Sequence, residues 1–403
     1  MDLDPGLRRR PLPDPAEVGE DPALVERLRT VIETDGPITF AHFMATALYD
    51  PDHGYYRTAE ARPTRSGDFL TAAELHPVFG RMIGRQLTEA WERLGRPDPF
   101  VLREDGAGSG TLGLAVHAGL VADGSGLAEV LRYLPVELNE HRLAELRRRF
   151  ADAGLEACLL APDAASGRFT GAILANELLD ALPVHRLTVV DGALREILVG
   201  WDGRFVDVIA APSTPALAAR LEAEGVVLAE GQRAEVSLAI DPWLSAASTA
   251  LERGLIVVID YGHPAAELYG PDRREGRLRA YVRHTVHGDP YVHVGRQDLT
   301  AHVDLTAVER AAEAAGLDLL GTTSQAEFLA GLGLGEVLAS AGLGPLDEAA
   351  AYLELRAAVV RLIDPRAMGG FKVVLLGRGL APEPPLAGLS FRLPPRPGSP
   401  DPR

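Results

Sequence analysis

The sequence predicts an α/β protein built on a largely parallel sheet, and three observations predict it. Strand-like and helix-like patterns alternate from Phe100 to Leu376. The stretch FVLREDGAGSGTLG, Phe100–Gly113, runs from a short apolar strand through alternating glycines into the helical spacing of Leu112, Leu114, Ala115, Val116 and Leu120. The next strand, Leu131–Leu138 (LRYLPVEL), carries Glu137 near its end, about thirty positions beyond Gly108. Strand, glycine turn, helix and acid-tipped strand form the first unit of a Rossmann-like fold. There the glycines let the backbone close on a ligand, and the acid accepts hydrogen bonds from ribose hydroxyls.

The elements follow in order. Residues 1–21 are rich in proline and charge and read as disordered. Asp21-Pro22 is an N-cap and first helical residue for a helix with Leu24, Val25, Leu28, Val31 and Ile32 on its apolar face. Thr39 caps a second helix through Phe43, Met44 and Leu48. A dense segment, YDPDHGYY at Tyr49–Tyr56, follows, and Leu75–Leu94 is a long amphipathic helix. Residues 22–98 thus read as an N-terminal helical region able to fold over the crevice of the sheet.

After Leu131–Leu138, His141–Phe150 is an Arg-rich helix and Leu159-Leu160 starts a third strand, with Asp163 a candidate for an adenine amino group. Phe169–Ala175 is the fourth strand. Arg186–Ile209 alternates as a β-hairpin or small sheet with two Asp-Gly turns, an insertion rather than another βαβ step. Thr214–Glu224 is a helix, and Asp241-Pro242 caps another through Leu251. Leu255–Ile259, Leu317–Thr322 and Phe371–Leu376 complete seven strands. Leu305–Ala315 and Leu346–Ile363 are helical, Tyr269–Leu299 is a polar excursion, and from Ala381 the chain is Pro-rich and reads as a disordered tail.

Composition narrows the function. The chain has 403 residues, a net charge of −17 and 46% hydrophobic residues, a globular composition ill suited to general nucleic-acid or anionic-membrane binding. Its acidity would suit a cationic substrate, but many proteins are simply acidic, and that plainer reading takes precedence. Cys158 is the single cysteine, which excludes an internal disulfide or a cysteine metal cluster and fits a reducing compartment. No apolar run approaches the ~20 residues of a membrane span, and the first residues lack the apolar core of a secretory signal. No metal site is expected: His284 and His287 are close, but no third ligand completes a set.

The glycine turn supports two chemistries. Gly108-x-Gly110-x-x-Gly113 fits a dinucleotide fingerprint. Gly106-x-Gly108-x-Gly110, with Glu104 before it, fits S-adenosylmethionine (SAM) enzymes, where a carboxylate faces the cationic end of the cofactor. Asn176-Glu177-Leu178-Leu179-Asp180 lies at the carboxyl end of the fourth strand, the edge where ligands bind in open α/β sheets. Asn176 and Asp180 could alternatively cap a helix.

The chain resembles the MidA family of methyltransferases in ordered segments from about Ile38 to Gly335. These are FMATALYDPDHGYY (Phe43–Tyr56), GDFLTAAELHPVFG (Gly67–Gly80), EDGAGSGTL (Glu104–Leu112), NELLDALPVH (Asn176–His185), IDYG (Ile259–Gly262), QDLTAHVDL (Gln297–Leu305) and TTSQAEFLAGLG (Thr322–Gly333). The resemblance implies a seven-stranded Rossmann-like class I SAM methyltransferase fold over residues 99–380. The N-terminal helical region precedes it, a β-hairpin subdomain is inserted at 186–210, and the tail occupies 381–403. It implies methyl transfer to an arginine of a protein client, of the respiratory-complex type, with S-adenosylhomocysteine (SAH) as product. By position Glu104, Gly106, Ala107, Gly108 and Gly110 form the SAM loop and Glu137 holds the ribose. Gly67, Asp68, Phe69 and Thr71 border the cofactor. Asn176, which also touches the cofactor, Glu177 and Asp180 face the acceptor, and His302 serves as proton acceptor or orienting group. The family often has Thr-Ala-Pro-Glu where this chain has Thr71-Ala72-Ala73-Glu74, and Ser-Pro after the ribose acid where it has Leu138-Asn139-Glu140.

The expected location is cytoplasmic, or the mitochondrial matrix in a eukaryote. Neither a nucleic-acid partner nor membrane insertion is expected; a homodimer through the N-terminal helices stays open. Two other functions remain at this level: a SAM-binding assembly chaperone that holds its client without chemistry, and, on Gly108-x-Gly110-x-x-Gly113 alone, an NAD-dependent oxidoreductase.

Overall fold

Alternate residues of each central strand face two separate cores, which is why those strands are apolar throughout. In the strand Leu251–Asp260, Leu255, Val257 and Ile259 enter one core, and Ile256 and Val258 enter the other. Ala172 and Leu174 against Ile173 and Ala175 repeat the division one strand away. A sheet buried on both faces needs such runs, each large side chain contributing roughly 1.5–3 kcal/mol of burial. The computed structural model describes residues 18–58, 71–161, 167–283, 285–343 and 349–393.

The chain begins with α1 (Pro22–Asp35) and α2 (Phe40–Tyr49), capped by the side chains of Asp21 and Thr39 as expected. The expected helix Leu75–Leu94 is two helices. A short one, Ala72–Leu75, is separated from α3 (Val78–Arg93) by His76, which is extended at φ −164°, ψ 143°. The residue before a proline is driven out of the helical region, and His76 precedes Pro77.

Then come β1 (Phe100–Asp105), α4 (Thr111–Ala122), β2 (Leu131–Val136), α5 (Glu140–Asp152) and β3 (Phe169–Asn176). The insertion follows as β4 (His185–Val190), β5 (Ala193–Trp201), β6 (Phe205–Ala210) and, after a helix, β7 (Arg233–Val236). Next are α6 (Ile240–Ala250) and β8 (Leu251–Asp260). The polar excursion contains β9 (Arg279–Val282), β10 (Thr285–His287) and β11 (Asp298–Thr300). The chain closes with α7 (Leu305–Ala314), β12 (Asp318–Ser324), α8 (Ala349–Ile363) and β13 (Lys372–Arg378). α6 starts at Ile240, so Asp241 lies inside its first turn and does not cap it.

The main sheet has the order β12-β13-β8-β3-β1-β2, parallel from β8 to β2, with β13 antiparallel to both β8 and β12. Among the described residues six strands stand where seven are expected. Leu159 makes a single parallel bridge to Tyr133, and the Leu160 amide donates to the Tyr133 carbonyl at 2.8 Å. The described residues that follow the 3-10 turn Glu156–Cys158 are Leu159, Leu160 and Ala161, and residues 162–166 lie outside the description.

The insertion is a four-stranded antiparallel sheet, β6-β5-β4-β7, rather than a hairpin alone. β7 pairs with the edge of β4 that the hairpin leaves open. β9, β10 and β11 form a third sheet in the order β10-β9-β11. A separate apolar cluster joins Phe40, Phe43, Met44 and Leu48 of α2 to Val199, Phe205 and Leu299 of these two small sheets. The N-terminal helices are thereby fixed over one end of the main sheet.

Candidate active site

β1 has β2 on one side and β3 on the other, so the chain leaves it in opposite directions and opens a crevice at the carboxyl edge. A cavity of about 370 Å³ lies there. At one end is the glycine turn. Gly106, Gly108 and Gly110 have φ of 76°, 54° and 74°, the left-handed region that glycine tolerates. A Cβ on Gly110 would lie 2.7 Å from Leu146 Cγ. The Gly106 and Ala107 amides donate to the Val136 carbonyl at 2.9 and 3.1 Å. The Gly108 amide donates to Glu137 Oε2 at 2.7 Å, and the Asn139 amide to Glu137 Oε1 at 2.8 Å. Glu137 thus ties β2 to the turn while its carboxylate lines the cavity.

Glu104 sits beneath the turn, 5% exposed. The Tyr133 hydroxyl donates to its Oε2 at 2.6 Å. Burial pushes its carboxyl up to about 8, partly opposed by that bond. Gly113 belongs to the same arrangement: a Cβ there would lie 2.5 Å from Tyr133 Cζ. Close packing of helix on strand, and not a ligand, accounts for this third glycine.

At the other end β3 runs out into Asn176–Ala181. Glu177 takes φ 51°, a left-handed conformation that costs a non-glycine residue about 1–3 kcal/mol. Its amide donates to the Ile259 carbonyl at 2.8 Å, and its Oε1 accepts from the Ala72 amide at 3.2 Å, so the N-terminal region helps hold the turn. Asp260, 1% exposed, accepts from the amides of Leu179 (2.9 Å), Asp180 (3.2 Å) and Tyr261 (2.8 Å). The Tyr261 hydroxyl donates to Asp180 Oδ2. Leu179–Ala181 is a single 3-10 turn without a side-chain cap, so Asn176 and Asp180 are not helix caps. Burial and the nearby Asp180 push the Glu177 carboxyl up to about 8, and burial pushes Asp180 up to about 6.

Asn176 Oδ1, Glu177 Oε2 and Asp180 Oδ1 are buried without a hydrogen-bond partner. All three residues line the cavity, as do Thr71, Glu104, Gly106, Ala107, Gly108 and Glu137. His302 does not. Its ring stacks on His263 at 5.4 Å and meets the ring of Tyr261 edge-on at 5.3 Å. Burial, His263 and nearby arginines push it well below the usual histidine range, so it is a neutral imidazole packed behind Tyr261. Gly67, Asp68, Phe69, Asp163 and His284 lie outside the described residues.

Sequence reasoning did not nominate the tyrosines. Tyr49, Tyr56, Tyr261 and Tyr281 line the cavity with Asp298. The Tyr56 hydroxyl donates to Asp298 Oδ1 at 2.7 Å, and the Tyr49 hydroxyl to the Ala181 carbonyl at 2.8 Å. Tyr49 and Tyr56 stack at 5.6 Å. Asn139 holds them in place: it caps α5 and donates to the carbonyls of Tyr56 (3.1 Å) and Thr58 (2.9 Å). A signal existed, since YDPDHGYY, IDYG and QDLTAHVDL contain Tyr49, Tyr56, Tyr261 and Asp298. Among the described residues, no group of three or more His, Cys, Asp or Glu could hold a metal, and no helix is long and apolar enough to cross a membrane.

Residues 82–323 match the model of a family described as "Putative S-adenosyl-L-methionine-dependent methyltransferase". The mitochondrial protein arginine methyltransferase NDUFAF7 homolog of Drosophila melanogaster is 30% identical over 76% of this chain and 74% of its own length. The human protein arginine methyltransferase NDUFAF7, also mitochondrial, is 27% identical over 88% of this chain and 83% of its own. A crystal structure from Burkholderia thailandensis, described as a candidate methyl transferase bound to S-adenosyl-homocysteine, is 35% identical. It superposes with a TM-score of 0.85 over 94% of this chain and 97% of that one. The chain belongs to this MidA-type family of SAM-dependent methyltransferases.

Proposed function

We propose that this protein methylates an arginine side chain of a protein client, releasing SAH. One observation carries the reading: three residues that line the cavity, Asn176, Glu177 and Asp180, each hold a buried side-chain oxygen that has no donor of its own. A buried acceptor without a donor costs about 1–3 kcal/mol, which cationic N–H groups would recover. The aromatic walls add cation–π attraction for a guanidinium. The named arginine methyltransferases among the relatives support the same substrate class.

SAM supplies a methyl group on a positively charged sulfur. Glu104, Gly106, Ala107, Gly108, Gly110 and Glu137 hold it, with Asn176 and Thr71 at its border. The Asn176–Asp180 turn receives the guanidinium. Arginine arrives protonated, so its nitrogens are poor nucleophiles. Carboxylates pairing with two of its N–H groups bias the positive charge away from the attacking nitrogen. That nitrogen's electron pair forms the new N–C bond, the C–S pair stays on sulfur, and one proton passes to Asp180 and then to solvent. Most of the acceleration comes from holding the two reactants in line.

In this reading residues 22–98 cover the site and 99–380 carry the chemistry. A eukaryotic member would act in the mitochondrial matrix and a bacterial one in the cytoplasm. The test uses SAM labelled on its methyl group with arginine-containing proteins of the source organism. Label on arginine after hydrolysis is expected. Label on another residue, or none while SAH binds, overturns the arginine assignment.

A further inference from the structure

We propose that Glu74 is a cofactor-binding residue, the counter-charge for the α-ammonium group at the amino-acid end of SAM. The inference rests on the cofactor reading above and extends it to a residue outside the glycine turn.

A SAM α-ammonium brings one positive charge and three N–H donors, so it needs a carboxylate that is not already committed. Glu104, the acid next to the glycines, is committed: the Tyr133 hydroxyl holds its Oε2 at 2.6 Å beneath the turn, and the Gly113 amide also approaches the carboxyl. Glu137 accepts two backbone amides, one on each oxygen. Asp180 accepts from Tyr261 at the tyrosine-lined end.

Glu74 differs from all three. It stands on the short helix Ala72–Leu75 and lines the cavity. The Thr71 amide approaches its carboxyl, while Oε2 is buried with no hydrogen-bond partner. Its surroundings locate it along the cavity. On one side it feels Arg142 and Arg149. Arg149 Nη1 donates to the Ser109 carbonyl at 2.9 Å and to Thr111 Oγ1 at 2.8 Å, and Arg142 Nη1 lies 3.4 Å from where a Cβ on Gly108 would stand. On the other side its charge is felt by Glu177. Glu74 therefore sits between the glycine turn and the end of β3. Burial pushes its carboxyl up to about 7 even against the two arginines. A bound cation would reverse that cost. Glu74 Oε2, an uncommitted acceptor, then waits for the ammonium.

The test is a binding cycle by titration calorimetry on the full chain, with Glu74→Gln and two ligands: SAH, and SAH lacking its α-amino group. Glu74→Gln keeps size and shape while removing the charge. The expected result is about 20-fold weaker binding of SAH by the variant and less than about 3-fold change for the deaminated ligand, the excess measuring the coupling. Glu74→Asp should recover part of the SAH affinity. Equal losses for both ligands, or no loss for either, overturn the assignment of Glu74 while leaving the cofactor reading intact. Failure of the unmodified protein to bind SAH overturns both. An unchanged melting temperature shows that the variant is folded, and the two-ligand comparison keeps the test decisive if it is shifted.

Discussion

The two ends of the cavity are built in opposite ways. The glycine-turn end comes mostly from one continuous stretch, Glu104–Thr111, and offers mainly backbone, fastened by Glu137 to the neighbouring strand. The tyrosine end is assembled from side chains of distant segments: Tyr49 and Tyr56, Asp180, Tyr261 and Asp298. Its bonds cross long stretches of chain, such as Tyr56 to Asp298. A site made of backbone is fixed by conformation, so it fails when the backbone cannot take its shape. A site made of side chains is fixed by hydrogen bonds, so it fails one group at a time. The first suits a ligand that every turnover uses, and the second suits selection of one acceptor.

That contrast can be broken, starting with the largest expected effect. Gly110→Val puts a β-branched residue at φ 74° and its Cβ 2.7 Å from Leu146 Cγ, so the turn must move into the cavity. Roughly 4 kcal/mol, or about 1,000-fold in SAH affinity, is the expected loss in calorimetry. Retention of affinity would mean that the turn does not form the cofactor's seat. Asp180→Asn removes the charge at the other end. Its kcat/KM for the arginine acceptor should fall about 100-fold, near 2.7 kcal/mol, while the Kd for SAH changes less than about 3-fold. A parallel loss of SAH binding would show that the two ends do not divide the work.

Tyr56→Phe deletes the 2.7 Å bond to Asp298 and leaves the ring. About 1 kcal/mol, a roughly 5-fold rise in KM for the acceptor, is expected from initial-rate kinetics, with kcat nearly unchanged. The smallest effect tests what the ends share. Glu104 and Glu177 are both pushed up to about 8 from an ordinary glutamate value of 4.5. Between those limits the folded chain binds more protons than the unfolded chain, so stability falls as pH rises. The melting temperature of the ligand-free protein should drop a few degrees from pH 5.5 to 8.5. SAM, which brings positive charge to the cavity, should raise it more at pH 8.5 than at 5.5. A flat profile would mean that these carboxyls ionise freely.

The same contrast explains what could be read from the sequence. Glu104, Gly106, Gly108 and Gly110 are legible because one local conformation needs several glycines in a row of close positions. Glu137 follows from a fixed spacing between neighbouring strands. Asn176–Asp180 follows from polar residues ending an apolar strand. His302 misleads because a histidine near an aspartate in a turn looks the same whether its ring faces a cavity or the back of a tyrosine. Tyr49 and Tyr56 stand in a dense aromatic segment, yet nothing local links Tyr56 to Asp298, which lies in another segment altogether. At Leu159-Leu160 apolar character alone predicts a strand, and the described residues form a single bridge to Tyr133 there.

By itself the sequence determined the α/β class, the double-faced apolar strands, the caps at Asp21 and Thr39, and the glycine turn. Each depends on interactions within a few residues or on a burial period written directly into the chain. The six-strand order, the fourth strand of the inserted sheet, and the meeting of Glu74, Asp180, Tyr261 and Asp298 around one cavity were decided only by the tertiary structure. Those depend on which distant surfaces pack together, and burial then sets the charge of groups whose neighbours no local pattern names.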